Sequence, residues 1–161
     1  MSPRWAPNPD IRRGRSVVCT LHVHLVFVPK YRCGVFTDEI LTRCEEIMRD
    51  VCTKANAELR EFNGERDHVH LLIHYPPQVK LSTLVGSLKG VSAHYLRKEY
   101  ADHIREYLWG AHFWSPSYFA ASAGGAPLSV IKEYIEQQKR PLQGGRQSSP
   151  EKHWSESATG D

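Results

Sequence analysis

The segment Asp67-His68-Val69-His70-Leu71-Leu72-Ile73-His74 is short and mostly apolar, and it carries two histidines two positions apart. If it forms a β-strand, its side chains alternate between the two faces of a sheet. The apolar residues then enter a core, while His68 and His70 lie side by side on the opposite face. Imidazole is a good ligand for divalent transition metals, and a pair leaves room for a third protein ligand and a substrate oxygen. The segment therefore indicates a half-buried strand with a candidate metal site, although a His-x-His spacing alone is weak evidence for one.

The length and composition of the chain indicate one ordinary globular domain. A chain of 161 residues can bury a core of its own, and the fractions of hydrophobic (40%) and charged (24%) residues are typical of soluble proteins. The formal net charge of +3 permits a nucleic-acid partner without requiring one. No apolar run reaches the roughly 20 residues that span a bilayer, and the N-terminus lacks the apolar segment of a secretory signal. We therefore expect a cytoplasmic protein without a membrane partner.

The four cysteines show no CxxC pairing and fall within predicted strands and helices. This pattern favours free, buried thiols over a zinc cluster. The cysteines are Cys19, Cys33, Cys44 and Cys52.

Residues 16–28 alternate strictly between two sets of side chains, which predicts one long strand. One of its faces is uniformly apolar, whereas the other carries a second His-x-His pair, His22 and His24. On the residues alone, this pair competes with His68 and His70 as the candidate metal site.

The remaining periodicities predict strands and helices in alternation. We expect a helix over 38–57 capped by Thr37 or Asp38, a strand over 58–63, a helix over 81–100 and a last strand over 111–120 interrupted at Pro116. Asn63-Gly64 is a two-residue hairpin signal that leads into the His68 strand, and Pro76-Pro77 ends that strand. The order strand–helix–strand–strand–helix–strand predicts an α+β, ferredoxin-like fold, an antiparallel sheet with helices packed on one face. The other face would be uncovered and free to hold a site.

The ends of the chain differ in composition from its middle. Residues 1–15 are rich in proline and arginine and predict a mobile basic arm, residues 16–141 form the predicted domain, and the polar, Gly/Ser-rich residues 142–161 predict a disordered tail. Residues 86–90 (GSLKG) have the wrong glycine–lysine spacing for a phosphate loop and lie within a predicted helix, so we expect no ATP.

An additional helix, which starts at Pro127 and ends at Pro141, carries a possible nucleophile. Tyr134 and Gln138 are four residues apart and therefore lie one turn apart on the same helix face. The phenol can act as a nucleophile, and the amide oxygen can bind a metal. Taken alone, the two residues are more typical of an ordinary amphipathic helix, with Tyr134 at the edge of its apolar face and Gln138 in solvent.

Four segments in this order resemble the single-tyrosine HUH transposases of small bacterial insertion sequences, the TnpA type, where HUH denotes His-hydrophobic-His. The similarity extends over most of residues 17–140. The segments are residues 25–32 (LVFVPKYR), residues 67–72 (DHVHLL), residues 114–119 (WSPSYF), and the Gly-Gly joint followed by Tyr-Ile-Glu-x-Gln.

The resemblance implies a metal-dependent enzyme. The family's nucleophile matches Tyr134, and its metal ligands match His68, His70 and Gln138, with Mg²⁺ or Mn²⁺ as the cofactor. The histidine pair of the first strand has no such match, and a supporting or structural role stays open for His24. The implied substrate is single-stranded DNA with hairpin ends, which is cleaved and rejoined through a 5′-phosphotyrosine link.

The resemblance also implies a homodimer with composite active sites. Gly124 and Gly125 would form the hinge that lets the tyrosine helix dock on its own subunit or on the partner.

Basic and aromatic residues provide candidate contacts to DNA, because they can neutralise phosphates and stack on bases. They are Arg12, Arg13, Lys30, Tyr31, Arg32, Lys89 and Arg97. Two other functions stay open at this point. One is an HUH nicking endonuclease of replication or conjugation, and the other is a non-catalytic ferredoxin-like module that binds nucleic acid on its open sheet.

Overall fold

A four-stranded antiparallel sheet organises the fold. The computed structural model describes residues 11–13, 18–108, 110–122 and 128–139. The strands of the sheet lie in the spatial order β4 (Glu58–Glu65), β5 (His68–His74), β3 (His22–Phe27) and β6 (Phe119–Ser122). Within the described residues, two short strands, β1 (Arg12–Arg13) and β2 (Val18–Cys19), form a separate pair.

Helices lie on both faces of this sheet. They are α1 (Asp38–Lys54), α2 (Leu81–Glu99), the short α3 (Ala101–Arg105) and α4 (Leu128–Lys139). The first two pack on one face, where their apolar residues join those of the strands in a single core. The strand order and the packing of α1 and α2 on one face confirm the predicted α+β, ferredoxin-like fold.

The core forms because each element has one apolar face. The strands contribute Val23, Leu25, Phe27, Val69, Leu71 and Ile73, and the helices contribute Ile40, Cys44, Met48, Leu84, Val85 and Leu88. Helix α1 begins where the sequence predicts, because the side chain of Thr37 accepts a hydrogen bond from the backbone N–H of Ile40. The helix is shorter than predicted and ends at Lys54, since Asn56 adopts a left-handed conformation with φ of 61°.

Helix α4 lies on the second face of the sheet, so the expectation of an uncovered face is wrong. There Tyr134 and Ile135 pack against Val26, Val28 and Phe119 in a small apolar cluster. The alternation of β3 explains this arrangement, because its second face carries valines as well as histidines and those valines need cover.

The prediction of a hairpin turn at Asn63-Gly64 is also wrong. Asn63 pairs with His70 and Gly64 with Val69 inside the β4–β5 ladder, and the chain turns at residues 66–67. Glycine at position 64 has a packing reason instead, because a Cβ atom there would lie 2.5 Å from the Cδ2 atom of Leu41. Helix α1 thus approaches the strand closely at this point.

Other element boundaries differ from the sequence prediction in smaller ways. The predicted first strand is interrupted at residues 20–21. The predicted last strand is reduced to β6, and residues 111–118 form a loop instead. One β-bridge, between Pro29 and Trp114, connects this loop to the segment that follows β3. Arg12 and Arg13 of the predicted arm form strand β1. The predicted tail and the other residues of the arm (1–10, 14 and 15) lie outside the described residues.

The described cysteine side chains are free thiols, as predicted. Cys44 and Cys52 are buried and Cys33 is partly buried. Burial raises the pKa of the Cys44 and Cys52 thiols to about 12.

A buried polar contact fixes the loop that precedes β6. The indole N–H of Trp114 donates a hydrogen bond to the hydroxyl of Ser92 (3.0 Å), and both residues are buried between α2 and the sheet. The hydroxyl in turn donates to the carbonyl of Lys89. This contact positions residues 113–118 relative to the core.

Replacing Ser92 by alanine should therefore destabilise the protein by about 1–3 kcal/mol, because the buried indole N–H loses its partner. Urea unfolding followed by circular dichroism measures the change. The matched control is Ser87→Ala, at an exposed position of the same helix, which should change stability by less than about 0.5 kcal/mol. Equal effects of the two substitutions would show that the buried hydrogen bond contributes nothing.

Candidate active site

The β3–β5 register brings two histidine pairs to one face of the sheet. His22 pairs with His74, and Val26 pairs with His70, so the histidines of both strands share the face on which α4 lies. We call this surface the histidine face, defined by His22 and His24 of β3 and His68, His70 and His74 of β5. The sequence predicted two competing pairs, and the fold places them side by side.

His68 is oriented by the residue that precedes it. Its Nδ1–H donates a hydrogen bond to the Oδ1 atom of Asp67 (3.0 Å), which leaves the Nε2 lone pair available as a ligand. Metal-binding histidines usually donate their second ring N–H to a carboxylate, a backbone carbonyl or water. Burial alone would raise the pKa of Asp67, but hydrogen bonds from Arg32 and His68 outweigh burial and hold that pKa below its ordinary value. The carboxylate is therefore charged and fits the orienting role.

His70 contacts the second histidine pair directly. Its Nε2 atom lies 3.0 Å from the Nδ1 atom of His24, within hydrogen-bonding distance. Burial, followed by the neighbouring charge of His24, lowers the pKa of His70 below its ordinary value. His70 is therefore a neutral imidazole at pH 7, the form that binds metals. His24 thus adjoins one of the predicted ligands.

The other two histidines of the face form a separate group. The rings of His22 and His74 stack with centroids 4.4 Å apart, and the guanidinium of Arg60 donates to the Nδ1 atom of His74 (3.0 Å). This group belongs to the end of the sheet away from the hairpin turn, and four residues of strand rise, about 13 Å, place His74 too far from His70 to share an ion with it.

The donor set fits a divalent metal in part. Within the part of the chain that the structure describes, no group of three or more His, Cys, Asp or Glu side chains is arranged to hold an ion. The sheet therefore offers the imidazoles of His68 and His70, and a third protein ligand must be of another type. Gln138 has its backbone in α4, but its side chain lies outside the described residues. Gly124 and Gly125, the predicted hinge, also lie outside them.

Tyr134 lies on the histidine face. Its ring packs against Phe119 with centroids 5.7 Å apart, and its hydroxyl shares a hydrogen bond with the hydroxyl of Ser117 (3.0 Å). Phe119 and His70 are the two cross-strand neighbours of Val26, so they are two strand spacings, roughly 10 Å, apart. Burial raises the pKa of the Tyr134 phenol, while the Ser117 hydrogen bond opposes that rise. The phenol therefore needs further help to become a nucleophile.

Ser117 and Lys89 support the tyrosine, and reasoning from the sequence missed this role for both. The ammonium group of Lys89 donates to the carbonyls of Ser115 (2.6 Å) and Ser117 (3.1 Å) and lies over the rings of Phe27 and Tyr118. It thereby fixes the loop that presents the Ser117 hydroxyl. The geometry favours this internal role for Lys89 over the predicted contact with DNA. No local pattern indicates it, since Lys89 and Ser117 are distant in sequence.

Arg32 joins the histidine face to α4. Its Nε–H donates to Asp67 (2.6 Å), and its Nη1 atom contacts the carbonyl of Ile135 (3.4 Å) and the carboxylate of Glu136 (3.3 Å). The side chain is 17% exposed, because these partners surround it. The sequence predicted a DNA contact at this position, whereas the structure places the guanidinium in an internal network.

The other predicted DNA contacts are distributed unevenly. Tyr31 is 49% exposed, and the ammonium of Lys30 lies 5.3 Å from its ring centroid, so this pair is accessible to a ligand. Arg12 and Arg13 form strand β1. Arg97 lies on α2, on the side of the sheet opposite the histidine face. The Lys30–Tyr31 pair is close to α4, because Tyr31 directly precedes Arg32, which contacts that helix.

A sheet that bears paired imidazoles on one face, together with a helix-borne phenol, is the arrangement that the sequence resemblance implies for a transposase. Comparison with known proteins gives the family directly. The profile described as "Transposase IS200 like" matches residues 17–138, and the chain belongs to this family.

Individual relatives agree with this assignment. The ISDra2 transposase TnpA of Deinococcus radiodurans is 33% identical over 129 residues, which cover 80% of this chain and 91% of that protein. The transposase of insertion sequence IS200 from Salmonella typhimurium is 32% identical over 126 residues, covering 78% and 82% of the two chains. A crystal structure from Deinococcus radiodurans, described as that of a candidate transposase, superposes with a TM-score of 0.73 at 34% identity and covers 79% of this chain and 97% of that one.

The helices give no sign of a membrane segment. Among the described residues, none of the helices combines the length and the apolar character that crossing a bilayer requires.

The hydrogen bond between Ser117 and Tyr134 gives a direct test of the site geometry. Ser117→Ala removes a group that lowers the pKa of the phenol, so the Tyr134 pKa should rise further above its ordinary value. Absorbance at about 295 nm, titrated as the difference between each protein and its Tyr134→Phe counterpart, reports the ionisation of Tyr134 alone. An unchanged pKa in the Ser117 variant would mean that the hydroxyl does not contact the phenol in solution.

Proposed function

We propose that this protein is a DNA transposase that cleaves and rejoins the single-stranded ends of an insertion sequence, with Tyr134 as its nucleophile. Membership of the transposase family supports the general activity. The observation that carries the finer proposal is the presence of a half-buried phenol on the same sheet face as two imidazoles, those of His68 and His70.

The chemical step follows from the nature of a phenol. The oxygen of Tyr134 attacks the phosphorus of a DNA phosphodiester and forms a phosphotyrosine bond to the 5′ side. The bond from phosphorus to the 3′ oxygen breaks with its electron pair, and that oxygen takes a proton to become a 3′-hydroxyl. The phenol proton leaves to solvent. Because the phosphotyrosine link keeps the energy of the broken bond, a second 3′-hydroxyl can reverse the step on a new DNA end without ATP.

We propose that His68, His70 and Gln138 hold a divalent ion, Mg²⁺ or Mn²⁺, beside the scissile phosphate. Such an ion supplies Lewis acidity that neutralises charge developing on the phosphate oxygens. Asp67 keeps the Nε2 lone pair of His68 free, and the lowered pKa of His70 keeps that ring neutral. The Nε2 lone pair of His68 and the neutral ring of His70 are therefore suited to bind an ion.

The proposed DNA substrate carries hairpin ends, and the accessible Lys30–Tyr31 turn is the best-supported contact for it. An exposed aromatic ring beside an ammonium group can stack on an unpaired base while the charge pairs with a phosphate. Arg12 and Arg13 would add phosphate contacts from the β1 strand. We further propose a homodimer with composite active sites, in which the Gly124–Gly125 joint sets which subunit receives each tyrosine helix.

Tyr134→Phe should abolish covalent attachment to DNA. The wild-type protein, incubated with a labelled hairpin-ended single-stranded oligonucleotide and Mn²⁺, should form an adduct that survives denaturing electrophoresis, because phosphotyrosine is a covalent link. Tyr107→Phe is the matched control, since Tyr107 is 38% exposed and follows α3, away from the histidine face. Tight binding by the wild-type protein without any adduct would instead favour a non-catalytic DNA-binding module.

His70→Ala should keep the fold but lose metal binding and cleavage. The side chain is only partly buried, so its removal costs little packing, whereas removing one ligand should weaken Mn²⁺ binding by about 100-fold or more. Mn²⁺ affinity by electron paramagnetic resonance and adduct yield on the same oligonucleotide measure the two effects. His94→Ala, at an exposed position of α2, is the control. Normal metal affinity and normal cleavage in the His70 variant would reject the ligand assignment.

A further inference from the structure

We propose that Arg32 is a positioning residue that sets the place of the tyrosine helix relative to the imidazole of His68. The inference rests on the proposed function, in which His68 and Tyr134 act together. It revises the sequence prediction that Arg32 contacts DNA.

The first support is the set of partners around one guanidinium group. Its Nε–H donates to the Oδ2 atom of Asp67 at 2.6 Å, and its Nη1 atom lies 3.4 Å from the carbonyl oxygen of Ile135 and 3.3 Å from the carboxylate of Glu136. Two of these partners belong to α4, and the third belongs to the hairpin turn before β5. A single side chain therefore bridges two elements that are far apart in sequence.

The second support is what lies at each end of the bridge. The other carboxylate oxygen of Asp67 accepts the Nδ1–H of His68, so the ring of the proposed ligand is one hydrogen bond away from Arg32. Ile135 directly follows Tyr134 in α4, and it packs with Tyr134 against the sheet. The continuous series of contacts runs from the tyrosine helix through Arg32 and Asp67 to His68.

The third support is the backbone that presents Arg32. Tyr31 and Arg32 both have left-handed backbone conformations, with φ of 66° and 51°. Such conformations are unfavourable for residues other than glycine. Surrounding contacts hold this conformation, since the N–H of Arg32 donates to the carbonyl of Pro29 (2.8 Å) and the N–H of Lys30 donates to that of Phe113 (2.9 Å). The unusual turn aims the guanidinium between Asp67 and α4.

An arginine suits this bridge better than a lysine does. The planar guanidinium offers separate N–H groups on different edges, so it can hold two carboxylates and a carbonyl in a fixed geometry. A lysine ammonium carries the same charge on a flexible stem and does not fix the two elements at one distance. We therefore expect charge alone to be insufficient at position 32.

The test uses the DNA-free, full-length protein and two measurements that do not require cleavage. One is hydrogen exchange of the α4 backbone amides, and the other is Mn²⁺ affinity by electron paramagnetic resonance. Arg32→Gln should speed α4 exchange by about 10-fold and weaken Mn²⁺ binding by about 10-fold, because it removes both arms of the bridge.

Two further variants separate the arms. Asp67→Asn should weaken Mn²⁺ binding while α4 exchange changes by less than about threefold, because it removes the charge that Arg32 and His68 contact but leaves the contacts of Arg32 with Ile135 and Glu136 in place. Glu136→Gln should speed α4 exchange and leave Mn²⁺ affinity unchanged. If Arg32→Gln unfolds the chain, these two variants decide the proposal on their own, since Asp67→Asn alters the end of the bridge at His68 and Glu136→Gln alters the end at α4.

Arg43→Gln is the matched control. Its guanidinium is also held by two carboxylates, those of Glu46 and Glu99, but on the helical layer away from the histidine face. Neither measurement should change in this variant. The bridge is rejected if Arg32→Gln leaves α4 exchange equal to that of the control, or if Arg32→Lys restores both measurements fully. A wild-type protein that binds no Mn²⁺ would remove the metal from the proposed function, while the exchange data would still decide the role of Arg32.

Discussion

The pairing of β3 with β5 is the constraint on which both the core and the candidate site depend. Side chains alternate along each strand, so the register that places Val26 beside His70 also sends Leu25 and Leu71 into the core. A slip of one residue would expose the apolar set and bury the imidazoles. The free energy gained by burying the apolar residues therefore also maintains the geometry of the histidine face, because the core and the histidine face depend on the same strand register.

Three other parts of the chain converge on this face and give it its chemistry. The hairpin turn supplies Asp67 to orient His68, the loop before β6 supplies Ser117 to hold the Tyr134 hydroxyl, and the left-handed turn supplies Arg32. Lys89 fixes the loop from the far side by binding its carbonyls. The sheet places these segments near one another, and the polar contacts between them fix the geometry of the site.

The sequence predicts those features that a repeating pattern imposes. Burial of one face forces the alternation of β3 and β5, and the cap at Thr37 follows from local hydrogen bonding, so both were predictable. The Asn63-Gly64 turn was predicted wrongly because the pairing of Gly64 with Val69 and its packing against Leu41 override local turn preference. The supporting contacts of Lys89 and Arg32 join residues 28 and 103 positions apart, and no local pattern encodes such distances.

The crowding of imidazoles on one face makes the fold sensitive to acid. Burial, followed by the charge of neighbouring histidines, holds the pKa values of His70 and His74 below their ordinary value. Above about pH 6.5 these rings are neutral in both the folded and the unfolded chain. As the pH falls below that value, the unfolded chain takes up protons that the folded sheet resists, and stability declines until the lowered pKa values are passed. Mild acidification should therefore lower the free energy of unfolding and protonate the ring nitrogens of His70 and His74 over the same pH range.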